Sequence, residues 1–380
     1  MAFVTGPRQV GKTTTCRARS SAYLSWDDDD HRRVLLAGPA AIAAAAGTGV
    51  LRERTPVLTL DELHKYARWR ALLKGLFDTH GADLRLLVTA SSRLDVARRG
   101  GDSLMGRYLP YRMHPFTVGE LEDRELPGER LVRAPRAPDR ADLEALVEHG
   151  GYPEPFVARD RRFTRRWGAL RREQLVRGDL RDLASVEDIA RLDTFARLLE
   201  ERSASQLVYS HLAREVQVSV DTARRWVDVL VAFHLGFLVR PWFRNVARSL
   251  RKEPKWYLRD WSGIADPGAR AETFVACHLL KTVEGLSDLG LGSFQLGYLR
   301  DKDRREVDFV VVRDGRPWFL VEAKHADDAL SPALGRFQAQ LGAPHAFQVV
   351  LELPFERADA FERPRGPVVV PASTLLSQLL

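Results

Sequence analysis

The chain has 380 residues, more than one ordinary core holds at roughly 100–200 residues per domain, so several units are expected. Apolar residues make up 45%, and 58 Lys+Arg against 51 Asp+Glu leave +7, an arginine-rich balance that suits phosphate contact. Only Cys16 and Cys277 are present, which excludes a disulfide framework and a four-cysteine zinc site. Met1-Ala2-Phe3-Val4 lacks the charged start and apolar run of a signal peptide. The Ala-rich run near Ala40–Ala46 is broken by Gly38-Pro39 and Gly47, and Val229–Val239 is too short to span a bilayer. A cytoplasmic protein without a membrane anchor is expected.

The first informative stretch is Val4-Thr5-Gly6-Pro7-Arg8-Gln9-Val10-Gly11-Lys12-Thr13-Thr14. It sets a Gly-x-x-x-x-Gly-Lys-Thr pattern after a short apolar segment and before a helix-like run, the context a phosphate-binding loop (Walker A) requires. Backbone N–H groups of such a loop turn inward on a polyphosphate, aided by the positive end of the following helix. Lys12 is expected to reach the β- and γ-phosphates and Thr13 to ligate the metal. ATP and Mg²⁺ are the expected ligands.

After the break at Arg54-Thr55-Pro56, Val57-Leu58-Thr59-Leu60-Asp61-Glu62 reads as a buried parallel strand ending in two acids, a Walker B pattern. Asp61 is assigned to Mg²⁺ and Glu62 to the attacking water. Two acids there also suit a helix start. A further strand, Leu84–Thr89, runs into Ala90-Ser91-Ser92, where Thr89 and Ser91 are candidates for sensing the γ-phosphate or capping a helix. Arg107, before the strand-like segment Tyr111–Phe116, is the candidate finger that would complete an ATP site in cis or from another subunit, with Arg93 as competitor.

The phosphate loop, Leu60-Asp61-Glu62-Leu63-His64-Lys65 with Trp69, Thr89-Ala90-Ser91-Ser92, Gly106-Arg107 and Pro115-Phe116-Thr117-Val118-Gly119-Glu120 carry a resemblance. They resemble the AAA+ superfamily ATPases of bacteria and archaea with a C-terminal domain of unknown function, over nearly the whole chain. Members of that family usually have a helical segment before the first strand, whereas this strand begins at Met1.

Ala134-Pro135-Arg136-Ala137-Pro138-Asp139 reads as a linker or loop, and Gly150-Gly151-Tyr152-Pro153-Glu154-Pro155 as a turn also seen in the resembled family. Residues Arg159–Arg181 are arginine-dense, with Phe163, Trp167, Leu170, Leu175 and Val176 at helical spacing. Such a helix either tracks phosphates or is a solvated helix whose arginine stems cover the core. Tyr209–Ser219 and Asp221–Leu230 have helix-turn-helix spacing, with Ser219 as N-cap and Thr222, Arg224 and Arg225 placed for duplex DNA. Phe237-Leu238-Val239 and Lys255-Trp256-Tyr257-Leu258 are expected to pair as a wing.

In the last part, Arg270–Leu280 reads as a helix, and Glu306–Val312 and Trp318–Lys324 as a hairpin about Asp314-Gly315-Arg316-Pro317. Asp308, Glu322 and Lys324, with Glu272 on the helix, resemble the PD-(D/E)XK nuclease signature. That resemblance implies oxygen ligands for Mg²⁺ from Asp308 and Glu322, water activation by Lys324, and Gln338 completing the site. A surface ion pair on an edge hairpin is the plainer alternative.

The expected fold is therefore α/β: a P-loop NTPase parallel sheet in residues 1–130, a linker and helical lid in 131–202, a winged helix-turn-helix in 203–262, and an α/β nuclease-like domain in 263–380. The function read from it is ATP binding and hydrolysis, with nucleotide state controlling the winged helix and the nuclease-like domain. The alternatives are an ATP-gated, metal-dependent DNA nuclease and a non-catalytic scaffold or DNA-binding regulator. A finger at Arg107 would favour a homo-oligomer.

Overall fold

Ala2–Thr5 (β1) is a short strand whose next residues break into the glycine-containing loop before the helix Lys12–Ala18 (α1). The computed structural model describes residues 1–50, 53–89, 104–122, 125–179, 186–243, 252–362 and 366–380. These divide into two compact units, residues 1–114 with 232–234, and residues 115–231 with 235–380.

The first unit continues through Ala22–Ser25 (β2), Asp29–Leu36 (α2), Pro39–Ala45 (α3), Val57–Asp61 (β3), Trp69–His80 (α4), Arg85–Thr89 (β4) and Leu109–Arg112 (β5). Its five strands are parallel, in the order β2-β3-β4-β1-β5. Parallel strands are buried on both faces and read as apolar runs, and Leu58, Leu60, Leu86 and Val88 pack in one core with Phe3, Leu24, Leu73 and Leu76. Because every strand points the same way, the C-terminal ends of β1, β3 and β4 gather at one edge, where open α/β sheets bind ligands. The expected strand at Tyr111–Phe116 is shorter and earlier, ending at Arg112.

The second unit begins with the helices Val118–Glu122 (α5), Arg140–His149 (α6), Pro153–Ala158 (α7), Arg161–Glu173 (α8) and Val186–Glu200 (α9). Asp139 and Asp160 cap α6 and α8 by accepting from backbone N–H groups. The apolar stripe expected on α8 is narrower than its sequence spacing implies: Trp167 is buried, but Phe163 and Leu170 are exposed. Several of its arginines are occupied within the protein. Arg161 pairs with Glu148, Arg171 lies 4.1 Å from the centre of the Tyr152 ring, and Arg172 reaches Glu200 at 2.6 Å.

Ser205–Gln206 (β6), Tyr209–Glu215 (α10), Val220–Ala232 (α11), Gly236–Pro241 (β7) and Lys255–Leu258 (β8) follow. Ser219 accepts from the Thr222 N–H at 3.1 Å, the cap expected for α11. β7 and β8 pair antiparallel, with Phe237 opposite Tyr257. Then come Pro267–Asp288 (α12), Phe294–Arg300 (β9), Glu306–Arg313 (β10), Arg316–Lys324 (β11), Pro332–Leu341 (α13), His345–Val350 (β12), Pro367–Pro371 (β13) and Ala372–Ser377 (α14).

β7 pairs in parallel with β9, so β6, β7 and β8, which flank α10 and α11, and the strands of the last hundred residues share one eight-stranded sheet, β13-β12-β11-β10-β9-β7-β8-β6. Phe274, Val275 and Leu279 of α12 share a core cluster with Phe309, Phe319 and Phe347 of the strands. Leu334 and Phe337 of α13 share a separate cluster with Val310, Leu320 and Ala346. Since side chains alternate across a strand, Phe309 and Val310 face opposite ways, and the sheet is covered on both faces.

Candidate functional site

The loop after β1 is shaped by three left-handed positions: Gly6 at φ 141°, Gln9 at 61° and Gly11 at 97°. Gly6 has no substitute, since a Cβ there would lie 2.3 Å from the Met113 carbonyl oxygen. Lys12 is buried, and its Nζ donates to the carbonyls of Gly6 (2.9 Å) and Pro7 (2.5 Å), folding the lysine over its own loop. Burial lowers its pKa to about 8, opposed by the charges of Glu62 and Asp61.

Asp61, at the end of β3, is the hub of the sheet edge. Its Oδ2 accepts from Thr13 Oγ1 at 3.0 Å and from the Tyr23 hydroxyl at 2.6 Å, and its Oδ1 from Thr89 Oγ1. Three hydroxyls from α1, β2 and β4 thus converge on one carboxylate that is itself buried. Burial, then the bond to Asp61, pushes the Tyr23 phenol up to about 12, so it stays a donor.

The structure places Glu62 next in the chain, in a left-handed conformation (φ 54°) that turns it out of the strand. Its carboxylate meets Lys65 at 3.1 Å and His64 at 3.7 Å. Arg107 pairs with Asp78 of α4 at 2.7 Å. Ser91, with Ala90, Ser92 and the rival Arg93, lies outside the described residues.

In the second unit, four of the five residues expected at the nuclease-like site come together. Asp308 sits where the β9–β10 register shifts between Val307 and Val310, a bulge that re-aims a side chain. Its Oδ2 accepts from the Ala323 N–H at 3.0 Å. Lys324 donates to Glu322 Oε1 at 2.9 Å. Glu322 is buried, and burial together with the Asp308 charge raises its carboxyl. Burial and Asp308 likewise raise Glu272 to about 7, against Lys255. Gln338 does not join them; its Nε2 donates to the Ala343 carbonyl at 3.3 Å, beyond the C-terminal end of α13.

Sequence reading missed the group at the centre of this cluster. Lys255, from β8, is buried, with its Nζ 2.9 Å from Glu272 Oε1, 2.5 Å from Glu306 Oε1 and 3.2 Å from Asp308 Oδ1. Burial disfavours its charge, but Asp308, Glu272 and Glu306 together hold its pKa above the ordinary lysine value. The Tyr257 hydroxyl also donates to Glu272 at 2.7 Å. A signal was present: a lysine heading the apolar strand Lys255–Leu258 requires buried carboxylates nearby.

Comparison with known proteins separates the two halves. An AAA domain model matches residues 1–122. The five-stranded parallel sheet fits that match, so residues 1–122 are similar to a P-loop ATPase-like AAA domain. Two models described only as domains of unknown function, DUF8612 and DUF4143, match residues 140–265 and 267–371. An uncharacterised protein of Mycobacterium tuberculosis and one of Mycobacterium bovis are each 26% identical over 333 residues, covering 83% of this chain and 68% of theirs.

The AAA domain implies ATP with Mg²⁺, and the donor set fits both. Thr13 and Asp61 are hard oxygen donors already in contact, and a nucleotide-bound Mg²⁺ needs only one or two protein oxygens. Tyr23 and Thr89 are the AAA-domain residues whose attachment to Asp61 the sequence did not reveal, because it depends on the order of strands. Among the described residues no helix is long and apolar enough to cross a membrane.

Proposed function

We propose that the chain binds Mg·ATP on residues Gly6–Thr14 and hydrolyses it slowly, the nucleotide state controlling the helix-turn-helix and nuclease-like C-terminal parts. The observation that supports this reading best is the contact of Thr13 with Asp61 beside the buried Lys12. It unites the two motifs that phosphoryl transfer requires, although they lie far apart in sequence.

In this reading Lys12 exchanges the carbonyls of Gly6 and Pro7 for phosphate oxygens, a stronger charge-assisted contact. Backbone N–H groups of Arg8, Gln9, Val10, Gly11, Thr13 and Thr14 complete the cradle. Thr13 and Asp61 would hold Mg²⁺, which would supply neutralisation of phosphate charge, and Tyr23 and Thr89 fix the Asp61 carboxylate so that it need not reorganise. Glu62 leaves Lys65 to orient the attacking water, Ser91 senses the γ-phosphate, and Arg107 or Arg93 serves as finger, from a second copy in a homo-oligomer. Duplex DNA is the proposed partner of α11, through Arg224 and Arg225.

ATP binding by the purified full chain, with Mg²⁺ and with chelator, tests the core of this reading. Wild type is expected to bind, and Lys12→Ala to lose about 10²-fold or more in affinity, as a buried charge-assisted contact is removed. Equal binding by the two, or none by wild type, rejects it.

A further inference from the structure

The second unit carries its own cation. We propose that Lys255 is a tethered counter-ion standing where a divalent metal would have to sit, so that the cluster of Glu272, Glu306, Asp308 and Glu322 takes no Mg²⁺ or Mn²⁺ while that lysine is in place.

Glu306 spends Oε1 on Lys255 and Oε2 on Arg300, at 2.5 and 3.1 Å. Asp308 spends Oδ1 on Lys255 and Oδ2 on the Ala323 N–H. Glu272 Oε1 is shared by Lys255 and Tyr257, at 2.9 and 2.7 Å. Glu322 Oε1 is held by Lys324. The lone pairs a hard cation needs are thus turned onto ammonium, guanidinium, hydroxyl and amide donors. Among the described residues no group of three or more His, Cys, Asp and Glu side chains is arranged to hold a metal ion. An ammonium and a divalent ion cannot share the space, since they repel at contact distance in a buried site where screening is weak. The lysine is anchored as well as charged: it lies in β8, whose neighbour Trp256 donates to the Leu199 carbonyl at 3.0 Å.

Two oxygens are left out of these bonds, Glu272 Oε2 and Glu322 Oε2. Glu322 Oε2 is buried without a partner among the described residues, on a residue only 8% exposed. These two are the oxygens open to an incoming ion once the lysine is gone. The acids resemble a metal centre, yet the ion they hold belongs to the protein. It also ties β8, in the segment matching one domain of unknown function, to α12 and β10, in the segment matching the other.

The test counts bound Mn²⁺ by electron paramagnetic resonance on the full chain without nucleotide. Lys255→Met keeps the length of the side chain and removes its charge; it is expected to bind one Mn²⁺ per chain more than wild type, lost again in Lys255→Met/Asp308→Asn. In thermal melts Mn²⁺ should raise the midpoint of Lys255→Met beyond any rise in wild type. Wild type and Asp308→Asn should bind the same number of ions, an arm that holds even if Lys255→Met fails to fold. Asp308-dependent Mn²⁺ binding by wild type, or a folded Lys255→Met with no added ion, overturns the proposal.

Discussion

Thr13 donates its hydroxyl to Asp61 at 3.0 Å, and Tyr23 donates to the same oxygen at 2.6 Å. The two donors have different consequences. Thr13 and Asp61 would touch the metal, whereas Tyr23 acts only by positioning the carboxylate. Asp61→Asn is expected to lower ATP turnover by about 10²-fold or more, as the preorganised charge is lost. Tyr23→Phe should cost about 1 kcal/mol of stability for one hydrogen bond and leave turnover within a few-fold of wild type. Turnover with denaturant unfolding of each variant checks both; equal losses of turnover would make Tyr23 part of the chemistry.

Lys12 provides a pH signature. Burial has brought its pKa down to about 8, while the contact with polyphosphate favours the ammonium and raises it again. Binding ATP between about pH 8 and pH 10 should therefore take up a proton, and affinity should fall as pH rises above about 8. Calorimetry in buffers of different ionisation enthalpy reads the uptake directly. Lys12→Arg should show none, since guanidinium stays charged.

Two glycines with positive φ are predicted to differ. At Gly6 an alanine Cβ meets the Met113 carbonyl oxygen, whereas at Gly38 (φ 97°) nothing lies within 4 Å. Gly38→Ala, at φ 97° and ψ −174°, a conformation essentially confined to glycine, should cost backbone strain of about 1–3 kcal/mol and leave nucleotide binding unchanged. Gly6→Ala must also displace backbone, and should lose both nucleotide binding and clearly more stability. Thermal melts and ATP binding of the pair measure the contrast.

His278 is buried in the second unit, where its Nε2 accepts from the Val118 N–H at 3.0 Å and its Nδ1 faces the Phe274 carbonyl at 2.7 Å. Accepting at Nε2 requires the neutral ring, with the proton on Nδ1. Burial lowers the pKa to about 3, below the ordinary value near 6.5. The unfolded chain then binds the extra proton, so stability is lost as pH falls from about 6.5 toward 3, by up to about 1.4 kcal/mol per pH unit. His278→Gln should flatten that slope by about one proton in urea unfolding followed through the nearby Trp261.

Local chemistry was the part legible in the sequence. The Gly6–Thr14 spacing, the acids ending Val57–Asp61 and the turn between β10 and β11 are contiguous patterns, and each matches its element. What remained hidden depends on pairing between distant strands. No periodicity says that β4 lies between β1 and β3, and so none predicts Thr89 on Asp61. The parallel pairing of Arg240 with Gly297 joins two expected domains into one sheet and carries Lys255 to Glu272 and Asp308. The lysine was visible as a residue, but its partners were not.

The decisive measurement is ATP turnover by wild type, Lys12→Ala and Glu62→Gln, each at saturating Mg·ATP. Slow Mg²⁺-dependent turnover is expected of wild type, near-complete loss of Lys12→Ala, and a fall of about 10²-fold or more of Glu62→Gln, which still binds ATP. Turnover in Glu62→Gln and Lys12→Ala equal to wild type would contradict the proposed hydrolysis.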